Sequence, residues 1–424
     1  LVYDWFVLGG CCVSLEFNKI VEQVQKFGAM LDALDFDLGD RLSIAVERFY
    51  NPPPLEKIQE RVELVQGPSI SGYRGAIPLE GENYEEISAT FPSLPPPESA
   101  IVIAADGSQI YASEQSPIHY YLINIGLFVY HHGIERTPQQ FTIPRLAYHK
   151  SEVHDPNGRI VGNRTVDARR TVREMQELGK LAWEMRGEAR PLLALYDNHL
   201  LFGVSTDVVG YKKIMRDYRG ALVHLHDAGA ILAGYVDNPT RSRVVVRMLY
   251  LLSLTDDEVL RADLSGGGDL EGLRDVHLFN AILEPGERSA VMVQNSPRNL
   301  DYKRGEGGGP SYEIAFFYMK VSSGYRSSIV RVDIPMWVAR DRRSVEELHA
   351  LLVEQCSMQG RNPYPYALTR ADELAYIGGR DKLKLDEMIR LEARKKGIDP
   401  TGFSAKAWGK QLVRGDKRRF EMKK

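Results

Sequence analysis

The chain has 424 residues, 43% apolar and 26% charged, with a formal net charge of −3. This excludes a protein coated in positive charge but leaves room for a local basic groove in a large soluble fold of two or three units. Of its three cysteines, Cys11 and Cys12 are adjacent and Cys356 is distant. That pattern gives neither a disulfide framework nor zinc spacing and fits a reducing cytoplasm.

The opening run LVYDWFVLGGCCV is interrupted by Asp4, is too short to cross a bilayer and lacks the positive flank of a secretory signal. Residues 1–12 are read as upstream sequence, with translation starting near Val13 and Ser14 as an N-cap. Phe17, Ile20, Val21, Val24, Phe27, Leu31 and Leu34 recur at helical spacing, predicting an amphipathic helix over 15–36. Such a stripe needs a partner surface, in a homodimer or against another protein. Pro-rich NPPP (51–54) and FPSLPPPESA (91–100) mark boundaries, so residues 13–95 are expected to form a helical arm. A main domain over 96–385 and a basic tail over 386–424 follow; residues 391–424 carry eleven Lys/Arg against four Asp/Glu. No later stretch is apolar enough for a membrane span.

From residue 101 the pattern turns to strands: AIVIAADGSQIYAS, then PIHYYLINIGLFVYHHG, then QQFTIPRL. A helix is predicted at about 165–186, followed by a short apolar strand, PLLALYDNHLL, that ends in Asp197. Next come the helix YKKIMRDYRGALVHLHDAG and the buried strand AILAGYV. The last portion holds two strands (YEIAFFYMKV, SSIVRVDIPMWV), a helix at about 343–358 and the segment NPYPYALTRADELAYIGG. Three strands, a helix and a fourth strand open an RNase H-like α/β fold, here a mixed sheet flanked by helices.

In that fold the first strand, the first helix and the end of the fourth strand each contribute an acid to the site. Asp106 stands where the first apolar run should continue, although Asp-Gly is also a common turn signal. Asp197 ends the fourth strand, where a cap or turn aspartate is equally usual. The helix offers Glu174 and Glu177. At about 100° per residue, Glu174 shares a face with Leu178, Leu181 and Met185, while Glu177 turns about 60° further toward solvent. Glu174 is therefore the expected inward carboxylate. Three gathered carboxylates repel unless a cation offsets them, and hard oxygen donors suit Mg²⁺ or Mn²⁺. Two ions ~4 Å apart activate a water and stabilise the leaving oxygen of a phosphodiester. Lys212, Lys213, Arg216 and Arg219 on one helix are candidate phosphate contacts, or simply a solvated face. No P-loop or dinucleotide fingerprint is present.

AADGSQI, LYDNHLL, RVDIPMWV and PYPYALTRADELAYI, in that order, resemble the NurA family over about residues 100–385. The resemblance implies a dimeric, Mn²⁺- or Mg²⁺-dependent DNA nuclease (5′–3′ exonuclease/endonuclease). Such an enzyme resects DNA ends with a hexameric HerA-type helicase in double-strand break repair. It makes Asp106, Glu174 and Asp197 the catalytic and metal-binding acids and adds Asp372, where the family pattern has a histidine. That departure bears on metal preference, rate and activity. Two alternatives stand beside it: a non-catalytic DNA-end adaptor of the same fold, and an RNase H-like enzyme acting on RNA or hybrids.

Overall fold

The computed structural model describes residues 17–31, 38–66, 72–114, 116–304, 312–324 and 326–398. The expectations about residues 1–12, Ser14 and Leu34, and most of the basic tail, lie outside them.

Three helices come first, α1 (Asn18–Leu31), α2 (Gly39–Tyr50) and α3 (Leu55–Gln66), then two short strands, β1 (Ala76–Pro78) and β2 (Thr90–Pro92). The predicted strands follow as β3 (Ala100–Ile110), β4 (Tyr121–His132) and β5 (Gln139–Ala147). After the short α4 (Lys150–Val153) come α5 (Asn163–Met185), β6 (Leu192–Tyr196), α6 (Tyr211–Asp227) and β7 (Ile231–Val236). Next are α7 (Val244–Ser253), α8 (Asp256–Val259), α9 (Asp275–Ile282), β8 (Glu287–Ser289), β9 (Met292–Gln294) and α10 (Pro297–Arg304). The chain closes with β10 (Ile314–Ser322), β11 (Ser327–Pro335), α11 (Met336–Ala339), α12 (Arg342–Ser357), α13 (Tyr366–Ala375) and α14 (Gly379–Lys395).

The strands join one mixed sheet in the order β1-β9-β10-β11-β7-β6-β3-β4-β5, with β2 and β8 attached beside β10. Within it, β5-β4-β3-β6-β7 is the expected RNase H-like unit: β3 runs antiparallel to β4 and parallel to β6, and β6 runs parallel to β7. Strand alternation splits β3 between two cores. Ala100, Val102 and Ala104 pack in the core that includes α7, α12 and α13, while Ile101, Ile103 and Ala105 pack with α5 and α6.

One feature departs from the sequence reading. The stretch expected as a helical arm is woven into the fold: β1 pairs with β9, β2 pairs with β8, and Phe49, Ile58 and Val62 are buried in the larger core. Three-residue strands are too short to show period-two alternation, which is why they were not visible. In contrast, Phe17, just before α1, and Val21, Val24 and Phe27 on it are all exposed. No described helix is long and apolar enough to cross a membrane.

Candidate active site at the ends of the parallel strands

Asp106 is not a turn residue. It lies within β3, paired directly with Gly126 of β4, and the strand runs on to Ile110. The neighbouring β6 stops pairing at Tyr196, opposite Ala105, so beyond Asp106 that flank of β3 is open. Asp197 is the next residue after β6, and Asp237 follows the end of β7 in the same way. Parallel strands thus deliver one carboxylate each to a common edge.

The fourth carboxylate comes over the sheet from a distance. Gly126 presents no side chain, and a Cβ there would collide with the Ala371 carbonyl and the Ala375 amide, so α13 rests on bare strand backbone. Ser108 and Asn124, which face each other across β3 and β4, hold the last turn of that helix. Ser108 donates to the Ala375 carbonyl, and Asn124 Nδ2 donates to the carbonyls of Leu374 and Ala375 at 3.2 and 2.9 Å. Terminal carbonyls left open by a helix end are thereby satisfied. The serine of Asp-Gly-Ser acts here as a strut. Docked this way, α13 carries Asp372 to within hydrogen-bonding reach of Asp106.

From the opposite face of β3, α5 sends Glu174 toward Gly107. Glu174 is 3% exposed, and a Cβ on Gly107 would stand 2.5 Å from its Oε1. Arg170 lies one turn earlier, its Nε 3.1 Å from Glu174 Oε1. Its Nη1 donates to the Gly107 carbonyl at 3.3 Å and to Gln109 Oε1 at 2.9 Å. The approach of Nε is off-axis, so Glu174 Oε1 remains a buried oxygen without a directed hydrogen bond.

The electrostatics follow from crowding. Burial raises the Asp106 carboxyl to about 7, reinforced by the charge of Glu174 and opposed by the Gly107 amide. Burial likewise lifts Glu174 to about 6, against Arg170 and a hydrogen bond from Tyr196. Asp197 is raised by burial too, restrained by the Tyr364 hydroxyl and pushed further by Asp372 and Asp237. Several acids with raised carboxyls close to one another mark this edge as a candidate functional site.

Among the described residues, no three His, Cys, Asp or Glu side chains close on one metal position as they stand. The donor chemistry nonetheless fits a hard divalent cation. The donors are all oxygen, Glu174 offers a buried oxygen without a directed donor, and Asp372 stands beside Asp106 closely enough to raise its carboxyl.

The reading of Glu177 as solvent-turned is corrected. It is 5% exposed, because Arg173 and Lys180 of its own helix fold over it, at 3.1 and 2.9 Å. Its two cations separate it from Glu174 more than its angle does. Lys213 lines a cleft of about 410 Å³ between α5 and α6, together with Arg145, Arg169 and Arg173. Lys212 and Arg216 are exposed on the same helix, while Arg219 turns against the Tyr302 ring, 5.5 Å from its centroid.

Sequence reasoning missed Tyr364, Tyr196, Asp237 and Gly126. Asp237 ends an apolar strand just as Asp197 does, which was a usable signal. Tyr364 sits inside the quoted PYPYALTRA segment, yet nothing in the pattern says that its hydroxyl reaches Asp197.

An RNase H-like sheet with acids gathered where its parallel strands end defines the class. The NurA domain model matches residues 100–377, more than half of the chain, and the chain belongs to the NurA family. No match was found among curated proteins. Of solved structures, the catalytic domain of human Endonuclease V is similar at 13% identity and TM-score 0.28, covering 82% of this chain and all of that one. LC9-RNase H1, a type 1 RNase H with the type 2 active-site motif, is similar at 8% identity and TM-score 0.20, covering 33% and 62% of the two chains.

Proposed function

We propose that the protein is a divalent-metal-dependent nuclease that hydrolyses DNA phosphodiesters. The observation that carries this reading is the meeting of Asp106, Glu174, Asp197 and Asp372 at one sheet edge in a NurA-family chain. Asp106, Glu174 and Asp197 would hold Mn²⁺ or Mg²⁺. Bound there, the metal would supply an activated water and charge stabilisation at the leaving oxygen. The chain's own groups do the rest. Tyr364 and Tyr196 donate to Asp197 and Glu174 and orient them, Arg170 ties α5 to β3 beside the cluster, and Asp372 carries a proton or completes the ligand set.

The cleft holding Lys213, Arg145, Arg169 and Arg173 supports a path for the DNA backbone beside α5, with Lys212 and Arg216 as outer contacts. The bare stripe of α1 supports assembly as a homodimer, with a HerA-type hexameric helicase as the motor for end resection in break repair. A cytoplasmic location suits such an enzyme.

The deciding experiment follows labelled single-stranded DNA, double-stranded DNA, RNA and hybrid substrates with Mn²⁺, Mg²⁺ or EDTA. Metal-dependent loss of DNA supports the proposal. Binding without cleavage would favour a DNA-end adaptor, and cleavage confined to RNA or hybrids would redirect the substrate class.

A further inference from the structure

The segment RVDIPMWV contains a buried carboxylate that the proposed chemistry does not use. Asp333 has no exposed surface and lies in β11, paired across the sheet with Gly234 of β7. Its Oδ1 accepts from Arg331 Nε at 2.7 Å. Its Oδ2 accepts from the Leu200 amide at 3.2 Å and from His199 Nδ1 at 3.0 Å. Arg331 is fixed in turn, donating to Gln294 Oε1 at 3.0 Å and lying over the Phe316 ring at 4.1 Å from its centroid. Burial would push the Asp333 acid up, yet the Arg331 charge and the His199 hydrogen bond hold it down to about 2. It is a carboxylate at any working pH.

A buried ion pair can be purely structural. Here one oxygen belongs to Arg331, and the other holds the two residues His199 and Leu200, which lie just beyond Asp197. Gly234 makes this possible. A Cβ on it would collide with the Asn198 carbonyl and stand 3.2 Å from the Leu200 amide nitrogen, so the segment after Asp197 lies over bare backbone. Tyr218 of α6 closes the other side by donating to the Leu200 carbonyl at 2.9 Å.

We infer that Asp333 is a positioning residue, which with His199 and Gly234 locks the backbone after Asp197 so that this carboxylate stays aimed at the acidic cluster. The inference rests on the reading of Asp197 as part of a nuclease site. Partners that orient ligating carboxylates typically change metal affinity or activity by about 10- to 100-fold.

The test compares His199→Ala, His199→Gln, Gly234→Ala and Asp333→Asn with Asp197→Asn in the full chain. Three quantities are measured: kcat and KM on labelled DNA, Mn²⁺ binding to the DNA-free protein by electron paramagnetic resonance, and the thermal midpoint. His199→Ala should lower kcat about 10-fold and weaken Mn²⁺ binding, with the KM for DNA and the midpoint nearly unchanged. His199→Gln keeps a donor and should recover most of that loss. Asp333→Asn should lose more and also melt earlier, because Arg331 is left without its counter-charge. Wild-type kcat and Mn²⁺ binding in both His199→Ala and Gly234→Ala, beside an inactive Asp197→Asn, would overturn the lock alone. Full activity in Asp197→Asn would sink the nuclease-site reading and the lock with it.

Discussion

Asp106 and Gly126 face each other across β3 and β4, and the missing side chain on Gly126 is the reason Asp372 reaches Asp106. The same device recurs at Asp333 and Gly234, where the covering segment brings Asp197 instead. In each case an acid on one strand is paired with a gap on the next. A distant piece of chain fills that gap.

Gly126→Val should therefore uncouple α13 from the sheet. The branched side chain would occupy the space of the Ala371 and Ala375 backbone, and the struts from Ser108 and Asn124 would lose their carbonyl partners. Nuclease activity should fall at least ~10-fold. Amide hydrogen exchange should rise across residues 366–375 before it rises in β3. Exchange that stays at wild-type levels in α13 would show that the helix does not depend on this contact.

Asp106→Asn should abolish metal-dependent cleavage while stabilising the metal-free protein at high pH. The folded-state acid is raised to about 7 from the ordinary carboxylate range, so between about pH 4 and 7 the folded chain binds more protons than the unfolded one. Stability from this group is therefore highest at acidic pH and is lost as pH rises through about 7. In EDTA at pH 8 the asparagine variant should melt about 3 °C or more above wild type, and the gap should close near pH 4.5. Asp333 runs the other way: its contribution is present above about pH 4 and is lost as pH falls toward 2. A midpoint for Asp106→Asn below wild type at pH 8 would remove the repulsive cluster from the account.

Glu174 and Glu177 are both buried, so their variants should differ in kind. Glu174→Gln should cost about 100-fold in cleavage with little change in melting, because burial already disfavours a charge there and Arg170 keeps the Gly107 carbonyl and Gln109 Oε1. Glu177→Gln should keep activity within about 3-fold but melt earlier, since Arg173 and Lys180 lose their shared carboxylate. Equal activity losses would mean that the wrong glutamate has been given the chemical role.

Local patterning made the RNase H-like unit legible. β3, β4, β5, α5, β6, α6 and β7 are long enough for period and apolar runs to speak, and the acids at Asp106, Glu174 and Asp197 could be placed on them. The details of the site are long-range facts. That Ser108 is a strut, that α13 rests on Gly126 and that Tyr364 reaches Asp197 depend on which elements become neighbours. No short window contains that information. β1, β2, β8 and β9 escaped because each has three residues and takes its strand character from its partners.

The basic cleft between α5 and α6 predicts a salt signature. Lys213 pairs with Asp217 at 2.5 Å and Arg145 with Glu152 at 2.7 Å, both as largely exposed cations whose partners give way readily to phosphate. Lys213→Glu and Arg145→Glu should each weaken DNA binding across sequences alike. Each should also lower the slope of log affinity against log salt by about one. Catalytic turnover at saturating DNA should change little. A slope equal to wild type in both variants would place the DNA backbone elsewhere.

Asp372 is the carboxylate for which sequence and structure ask most of each other. The sequence resemblance leads to the expectation of a histidine here in many relatives, and the structure shows an exposed aspartate at the edge of the packed face formed by Leu368, Ala371 and Ala375. Its contact with Asp106 and its push on Asp197 place it inside the electrostatics of the cluster. An exposed acid beside the proposed metal ligands is suited to take a proton from an attacking water or to serve as one more hard ligand. Asp372→Ala should cut the rate at least ~10-fold, about 1.4 kcal/mol of transition-state stabilisation, without changing the melt. Asp372→His should retain activity, because imidazole also accepts a proton and binds Mn²⁺, but its rate should fall below about pH 6.5 as the ring becomes charged. The two roles separate on metal. A ligand role predicts weaker Mn²⁺ binding in Asp372→Ala, whereas a proton carrier leaves binding intact and flattens the pH profile of kcat. Wild-type rates, pH dependence and Mn²⁺ binding in both variants would place Asp372 outside the chemistry and leave it as a surface charge on α13.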